Sequence, residues 1–307
     1  MSKRNIALIG ATLVSLIYGV TFTIAKDVMP NYIDAYGFIL LRVGGSALLF
    51  WAVWLFMKIV KIGPNEKIAL SDFPRIIACA FFGVALNMLT FFKGLSMTSP
   101  ISAAVIMVCT PLIVLILSAI IIKEKMRKRK ILGILLGLFG TSFLILYGKS
   151  LENNSNVSLG NFLVLVNAVS YGYYLVIVKK LMDKYNAFTF VKWVYLFGFF
   201  MVIPFGLSQF QSVNWAIMPT DIVWKIGFVI VFSTFFTYLL NLLSMRELKP
   251  TLVAVFIYLQ PLFATVFAIS LGKDELSWVK LSSAIFIFTG VYLVTDKKSE
   301  QLRDDAK

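Results

Sequence analysis

The sequence predicts an all-α membrane protein in which ten transmembrane helices form two inverted five-helix repeats. Three observations support this fold class. The 307 residues are 59% hydrophobic and only 14% charged, whereas about a quarter of the residues in a soluble domain are charged. The apolar residues fall into long runs, and the mean hydropathy is +0.87. The spacing of proline and glycine also recurs about 150 residues further along the chain.

Ten apolar runs are long enough to span a bilayer, which requires roughly 20 residues. The first run follows Lys3 and Arg4 and continues to Ala25. It is longer than the apolar part of a signal peptide, so we interpret it as a retained spanning helix. The predicted spans are 6–25, 37–57, 74–92, 100–122, 131–147, 160–178, 188–208, 222–243, 251–271 and 279–295.

The distribution of basic residues predicts the orientation of these spans. The chain has 29 Lys and Arg residues against 15 Asp and Glu, an excess that in a soluble protein would suggest nucleic-acid binding. Here the cations concentrate in alternate connections, most densely over Lys123–Lys130. Basic loops stay on the cytoplasmic side of a membrane. We therefore expect a multi-pass membrane protein, surrounded by lipid, with both termini cytoplasmic and no nucleic-acid partner.

The residue types present argue against an enzyme. Histidine is absent, and the two cysteines, Cys79 and Cys109, lie inside apolar runs where they act as small packing residues. No glycine-rich phosphate loop precedes a helix. The sequence therefore predicts no catalytic residue, no metal and no cofactor, and direct use of ATP is not expected.

The internal repeat is clearest at two proline pairs. Pro100 and Pro111 have the same separation as Pro250 and Pro261, and the two pairs are 150 residues apart. Gly140 and Gly290 keep this offset, and the pair Tyr18-Gly19 recurs at an offset of 153 as Tyr171-Gly172. The repeat unit thus contains five spans. An odd unit repeated in tandem enters the membrane from opposite sides, which makes the halves inverted and favours a transporter.

This duplication predicts three segments of the chain. Residues 1–150 form the first repeat, 151–296 the second, and 297–307 a charged cytoplasmic tail.

The paired segments resemble the EamA-type branch of the drug/metabolite transporter superfamily over nearly the whole chain. The resemblance implies an inner-membrane carrier, usually an exporter of amino acids, related metabolites or toxic organic compounds, with a central cavity between inverted halves. The spacing slips by one residue between Glu124 and Glu275. The residues that carry the resemblance are Leu95 to Pro100, Pro111, Glu124, Gly133 to Gly140, Leu248 to Pro250, Pro261, Glu275, Gly290, Arg42 and Asn87.

The prolines inside the apolar runs are candidate hinges. A proline within a helix removes one backbone hydrogen bond, which for Pro111 and Pro261 leaves the carbonyls of Met107 and Ile257 unpaired. Unpaired carbonyls are costly in lipid, so these positions should face protein or water. We expect Pro111 and Pro261 to act as hinges along a solute path, or alternatively only to shape the bundle.

Polar and aromatic residues in the middle of spans are candidates for the wall of the cavity. Such a wall suits an amphipathic organic solute. For any single tyrosine, packing with its hydroxyl bonded to a neighbour is an equal alternative. The candidate residues are Tyr18, Thr21, Arg42, Asn87, Phe91, Thr110, Asn167, Tyr171, Tyr174, Tyr238, Asn241, Tyr258 and Gln260.

Arg42 is the candidate with a charge. A guanidinium inside a span is costly and points to a function, such as bidentate binding of a solute carboxylate. The alternatives are an outward-reaching side chain, or pairing with Asp34 or a backbone carbonyl.

The acidic residues all lie in loops, tails or helix ends. A proton pump usually keeps a titratable group within the membrane, so we expect facilitated diffusion or exchange. Glu124 and Glu275 are expected to pair with nearby lysines.

Two further alternatives stay open. The chain could be a non-transporting structural or assembly protein, or less plausibly a membrane-embedded enzyme. The pair Gly133 and Gly137 permits close helix packing, within one subunit or between two. The sequence leaves the oligomeric state open.

Overall fold

The computed structural model describes residues 2–29, 31–61, 66–97, 106–146, 157–270 and 277–295. All regular secondary structure in these ranges is helical. We number the helices along the chain: α1, Lys3–Val28; α2, Ala35–Ile59; α3, 73–97; α4, Thr110–Ile121; α5, Lys128–Leu146; α6, Val157–Met182; α7, Ala187–Gln211; α8, Thr220–Glu247; α9, 250–270; and α10, Trp278–Thr295.

Length and composition support a membrane location for this bundle. Within the described ranges, seven helices are long and apolar enough to cross a membrane, and Thr110–Ile121 and Leu281–Thr295 are shorter apolar helices. Each helix overlaps one of the predicted spans. The all-helical membrane class is therefore confirmed, whereas the number of spans and the inversion of the halves stay predictions.

Local sequence explains several helix starts. Ser2 caps α1 by accepting a hydrogen bond from the Asn5 backbone N–H at 3.2 Å. Asn186 caps α7 in the same way through the Phe188 N–H at 2.9 Å. Pro250 lies in the first turn of α9. The backbone N–H of any residue at this position has no partner within the helix, so the absence of an N–H in proline costs no hydrogen bond.

Two helices contain a π turn at matching places in the two halves. Each turn interrupts the regular hydrogen bonding close to the middle of its helix, and the two turns start 150 residues apart. In α3 the order is Phe73–Ala80, the π turn Phe81–Ala85 and Leu86–Met97; in α8 it is Thr220–Ile230, the π turn Val231–Phe236 and Thr237–Glu247.

The proline positions differ from the sequence prediction in one half. Within the predicted span 100–122, the expected break near Pro111 takes the form of a helix start, because residues 108–109 form a turn and α4 begins at Thr110 with Pro111 in its first turn. The Cys109 N–H donates to the Ile106 carbonyl at 3.0 Å in a turn just before it. Pro261 instead lies within α9, three residues after the 3₁₀ turn Phe256–Tyr258. Pro111 lies in the first turn of α4, where a backbone N–H has no intrahelical partner, so proline is accommodated at this position.

Several predictions concern residues outside the described ranges. Pro100, Glu275, the division between residues 150 and 151, and the tail 297–307 belong to this group.

The contacts between helices follow the internal repeat of the sequence. Helix α2 packs on α7 and α5 on α10, so counterparts of the two halves contact each other directly. Helix α3 packs on α6 while its counterpart α8 packs on α1; likewise α4 packs on α6, and α9 on α1. The packing therefore uses the two halves as equivalent units.

Small residues permit these close approaches. A Cβ on Gly94 would lie 2.9 Å from the Gly160 carbonyl oxygen, and one on Gly10 would lie 3.1 Å from Ser244 Oγ. Gly160 and Ser244 are the 150-residue counterparts of Gly10 and Gly94. The same two helix contacts are thus built twice.

The close contact between α5 and α10 gives a direct test. A Cβ on Gly133 would lie 2.7 Å from the Gly290 carbonyl oxygen. We expect Gly133→Ala to destabilise the protein by about 1–3 kcal/mol through overpacking. Thermal unfolding of the detergent-purified protein measures this change.

Gly227→Ala is the matched control, because nothing lies within 4 Å of its Cβ position. It should be neutral or stabilising by up to about 1 kcal/mol, since alanine favours helix. Equal melting temperatures for the two variants would contradict the close α5–α10 contact.

Candidate functional site

A central cavity of about 140 Å³ lies between α1, α2, α3, α6, α8 and α9. Its wall is largely apolar, with a few polar groups from both halves, as in many sites for small organic ligands. The predicted residues that the structure brings together in this wall are Tyr18, Thr21, Arg42, Asn87, Phe91, Asn167, Tyr171, Tyr238 and Gln260.

Four predicted residues do not line the cavity. The Tyr258 ring lies against Gly137 and its hydroxyl donates to the Ile134 carbonyl at 3.1 Å, which is a packing role. The Tyr174 ring packs on Gly83, and Thr110 is fully buried. The fourth residue, Asn241, lies behind the wall.

Asn241 nevertheless touches the wall, because its Nδ2 donates to the hydroxyl of Tyr171 at 3.3 Å. The sequence could not separate these cases, since every one of the four is polar or aromatic and lies in an apolar run.

The remaining wall residues were missed by sequence reasoning. All are apolar or, in the case of the methionines, only weakly polar, so nothing distinguishes them from residues that face lipid or the core. They are Ala25, Met29, Met88, Phe92, Leu95, Met107 and Ile257.

Arg42 is 6% exposed and held by the π turn of α8. Its Nε donates to Thr234 Oγ1 at 2.7 Å, and its Nη2 donates to the Ser233 carbonyl oxygen at 3.2 Å. The Phe92 ring centroid lies 5.8 Å from the guanidinium carbon. Backbone carbonyl pairing was one of the predicted alternatives, and pairing with Asp34 was not found among the described contacts. None of the described residues of the wall is acidic, so Arg42 gives this part of the cavity a positive charge.

Side-chain hydroxyls satisfy the backbone of the π turn in α3. Tyr238 donates to the Gly83 carbonyl at 2.8 Å, and Ser170 donates to the Phe82 carbonyl at 2.7 Å. Both donors belong to the second half, whereas the turn belongs to the first. The turn is therefore fixed by contacts between halves, beside the cavity.

Asn167 has an open acceptor. Its Nδ2 donates to the Asn87 carbonyl oxygen at 2.7 Å, but its buried Oδ1 has no hydrogen-bond partner among the described residues. A buried acceptor without a partner is costly. Although Asn167 lines the cavity, this oxygen has almost no accessible surface, so a cavity occupant reaches it only after a local rearrangement.

A second buried cation lies away from the cavity. Lys192 Nζ lies 3.6 Å from the ring centroid of Trp54 and 5.0 Å from that of Trp51. Trp51 Nε1 in turn donates to the Lys192 carbonyl at 3.2 Å. These cation–π contacts join α2 to α7 and stabilise a charge within a span. Across the described ranges, no group of three or more Cys, Asp or Glu residues is placed to hold a metal.

Comparison with known proteins identifies the family. The sequence profile of the EamA-like transporter family matches residues 5–146 and, a second time, residues 158–296. The chain belongs to the EamA-like transporter family. An EamA-like transporter is a multi-pass membrane protein that handles small molecules, which agrees with the apolar helices and the cavity.

Several curated relatives are named as transporters. An uncharacterized transporter of Archaeoglobus fulgidus is 26% identical over 244 residues, covering 80% of this chain and 84% of the relative. The uncharacterized transporter YyaM of Bacillus subtilis is 24% identical, covering 90% and 89%. The WAT1-related protein At3g18200 of Arabidopsis thaliana is 22% identical, covering 85% and 77%.

A solved crystal structure matches the fold of this EamA-like transporter. Its TM-score is 0.76 at 17% identity, and the match covers 96% of this chain and 98% of the other. At this identity the likeness establishes the fold alone.

The Tyr238 hydroxyl gives a test of the α3 π turn. We expect Tyr238→Phe to destabilise the protein by about 1–3 kcal/mol, because the buried Gly83 carbonyl loses its donor. Thermal unfolding measures the loss.

The control is Tyr292→Phe, since Tyr292 is 61% exposed on the outside of the bundle. Its melting temperature should equal that of the unmodified protein. If Tyr238→Phe is equally neutral, the hydroxyl does not hold the turn.

Proposed function

We propose that this protein is a secondary carrier for small organic solutes such as amino acids or related amphipathic metabolites. It would act as an exporter, facilitator or exchanger, and bind one solute in the central cavity. The observation that carries this proposal is the buried Arg42, which lines a cavity whose described wall residues include no carboxylate.

A solute carboxylate fits the remaining donors of Arg42. A guanidinium has five N–H groups, and the described contacts engage only Nε and Nη2. Nη1 makes no hydrogen bond to a described residue. A bound carboxylate would pair with this nitrogen and neutralise a charge that is costly to leave uncompensated in low dielectric.

Arg42 offers hydrogen-bond donors to the solute, whereas Asn167 offers an acceptor. Its Oδ1 is buried without a partner, and a small rotation of the side chain would let this oxygen accept a hydrogen bond from an ammonium group or hydroxyl of the solute. The aromatic wall of Tyr18, Phe91 and Tyr171 suits the apolar part of the same molecule. A solute with an anionic end, a donor group and an apolar portion satisfies all three features.

Alternating access follows from the duplication. We infer two inverted five-helix repeats, 1–150 and 151–296, followed by the tail 297–307, with ten spans in all. Support comes from the family profile, which matches twice, and from the exchange of helix partners between halves. Inverted halves allow two near-equivalent conformations around one fixed site. The proposed flexible parts are the π turns of α3 and α8, the 3₁₀ turn of α9 and the start of α4, with Pro111 and Pro261 as hinges.

The proposed location is the cell inner membrane with both termini in the cytoplasm. The clustering of Lys and Arg residues in alternate connections supports this orientation.

Arg42→Gln tests the role of the guanidinium. We expect the KM for a carboxylate-bearing solute to rise roughly tenfold or more, because a charge-assisted contact of about 1.5–3 kcal/mol is lost. Counterflow in liposomes measures KM, after a thermal-shift screen of amino acids has found a solute.

Lys192→Gln is the matched control, because it removes a buried cation of a span that does not line the cavity. Its KM should stay unchanged in folded protein. The carboxylate role fails if Arg42→Gln folds normally and retains the original KM.

Proton coupling gives a separate test. Neither Asp nor Glu occurs among the described wall residues, so we expect counterflow to continue when a protonophore dissipates the proton gradient. Uptake in sealed liposomes against a gradient of the solute, abolished by the protonophore, would overturn facilitation or exchange.

A further inference from the structure

A second, larger concavity opens at one end of the bundle. This basic cleft has a volume of about 700 Å³. It lies between the end of α4, the start of α5, the end of α6 and the start of α9, with Leu293 and Val294 of α10 beside them. It shares no lining residue with the central cavity.

The charge of the basic cleft is strongly unbalanced. Among the described lining residues, eight are Lys or Arg, and two, Glu124 and Asp183, are acidic. Each acid already contacts a cation: Lys130 binds Glu124, and Lys179 Nζ lies 2.8 Å from Asp183 Oδ1. The wall therefore holds a concentrated positive charge that its own carboxylates do not neutralise.

Glu124 fixes the shape of this cleft. It is buried, and its Oε2 accepts a hydrogen bond from Thr251 Oγ1 at 2.9 Å. The α4–α5 connection is thereby attached to the start of α9. Lys130 is held by the same carboxylate, so part of the positive wall is positioned before any ligand binds.

Lys123 occupies an unusual backbone conformation at the edge of the cleft. Its φ is 54°, in the left-handed region that favours glycine. The following residue, Glu124, donates its N–H to the Ser118 carbonyl at 3.0 Å. This turn buries the carboxylate of Glu124 and keeps the Lys123 side chain in the wall.

Topology alone explains basic loops, but not a concave arrangement with an apolar floor. Ile121, Ile122 and Leu293 supply that floor between the cations. Basic pockets between spanning helices bind phosphorylated head groups of lipids, and Arg and Lys are the usual partners of phosphate oxygens.

We propose that the basic cleft is a binding site for a phosphate ester, carried by an anionic lipid head group or by a soluble phosphorylated metabolite. The phosphate oxygens contact Lys123, Lys125, Lys180 and Lys249, none of which has a carboxylate partner in the described structure. The site is independent of the solute in the central cavity. Its occupant bridges the start of α9 to the α4–α5 connection.

The test compares two variants that each lose four positive charges. The cleft variant carries Gln at Lys123, Lys125, Lys180 and Lys249. The control variant carries Gln at Lys3, Lys61, Lys67 and Arg75, which are exposed and outside the cleft. Lys61 also has a left-handed φ of 58°, so it matches Lys123 in backbone conformation.

The probes distinguish the two sources of phosphate. Detergent-purified full-length protein is titrated with phosphatidylglycerol against phosphatidylcholine, and with glycerol 3-phosphate against sodium chloride of equal ionic strength. Native mass spectrometry counts retained lipid, and thermal unfolding reports both ligands. We expect the unmodified protein and the control variant to bind a phosphate probe, and the cleft variant to bind it roughly tenfold or more weakly.

The outcomes separate as follows. A response to phosphatidylglycerol alone supports a lipid head group, and a response to glycerol 3-phosphate as well supports a phosphate site open to solutes. The proposal is overturned if neither probe exceeds its reference, or if both variants weaken binding equally. Should the cleft variant fail to fold, Lys125→Gln with Lys180→Gln is compared with Lys61→Gln and Lys67→Gln by the same criteria.

Discussion

The structure depends on one constraint: within lipid, every backbone N–H and carbonyl must find its partner inside the protein. A helix that departs from regular bonding in a span therefore needs side-chain donors nearby. In α3 these donors are Tyr238 and Ser170, which bond the carbonyls of Gly83 and Phe82. Because the donors come from the other half, the irregular turn can exist only where the halves meet. The same interface contains the cavity. The location of the candidate site is therefore linked to the place where the backbone carbonyls of the π turn can find hydrogen-bond donors.

Arg42 joins this constraint to the binding chemistry. Its contacts with Ser233 and Thr234 stabilise the π turn of α8, and Ser46 adds a bond to the Ile230 carbonyl at 3.2 Å. The oxygens of Ser233 and Thr234 therefore replace, in part, the water that would solvate the guanidinium outside the membrane. These contacts are to neutral oxygens, and none of the described wall residues supplies a counter-ion, which is the basis for proposing an anionic solute. One residue thus connects the shape of α8 to the preference for ligand charge.

The sequence predicted the helices well because lipid forces apolar residues into long runs. The predicted span 188–208 lies within α7, Ala187–Gln211, and the others overlap their helices similarly. The π turns have no comparable pattern, since Phe81–Ala85 reads as ordinary apolar helix. The break near Pro111 was expected, but as a kink inside a helix, because proline alone does not distinguish a kink from a helix start.

The candidate site was predictable only in its polar part. Asn87 and Asn167 are conspicuous in apolar spans, and both line the cavity. Tyr258 is equally conspicuous but fills the space over Gly137. Which helix face meets the cavity depends on contacts distant in sequence, so composition could not separate these tyrosines. The basic cleft was visible only as a charged run, since its concavity requires α6, α9 and α10 as well.

The duplicated positions are not used identically, and this difference bears on mechanism. Met107 and Ile257 are counterparts and both line the cavity. Three residues further on, Gln260 lines it as well, whereas its counterpart Thr110 is fully buried. The surrounding backbone differs too, because α4 starts afresh at Thr110 while α9 continues through a 3₁₀ turn. In a carrier with inverted halves, the two repeats adopt different conformations when the site is open to one side of the membrane. When the site opens to the other side, the two repeats exchange these conformations. Such an exchange would bring Thr110 into the cavity wall and bury Gln260.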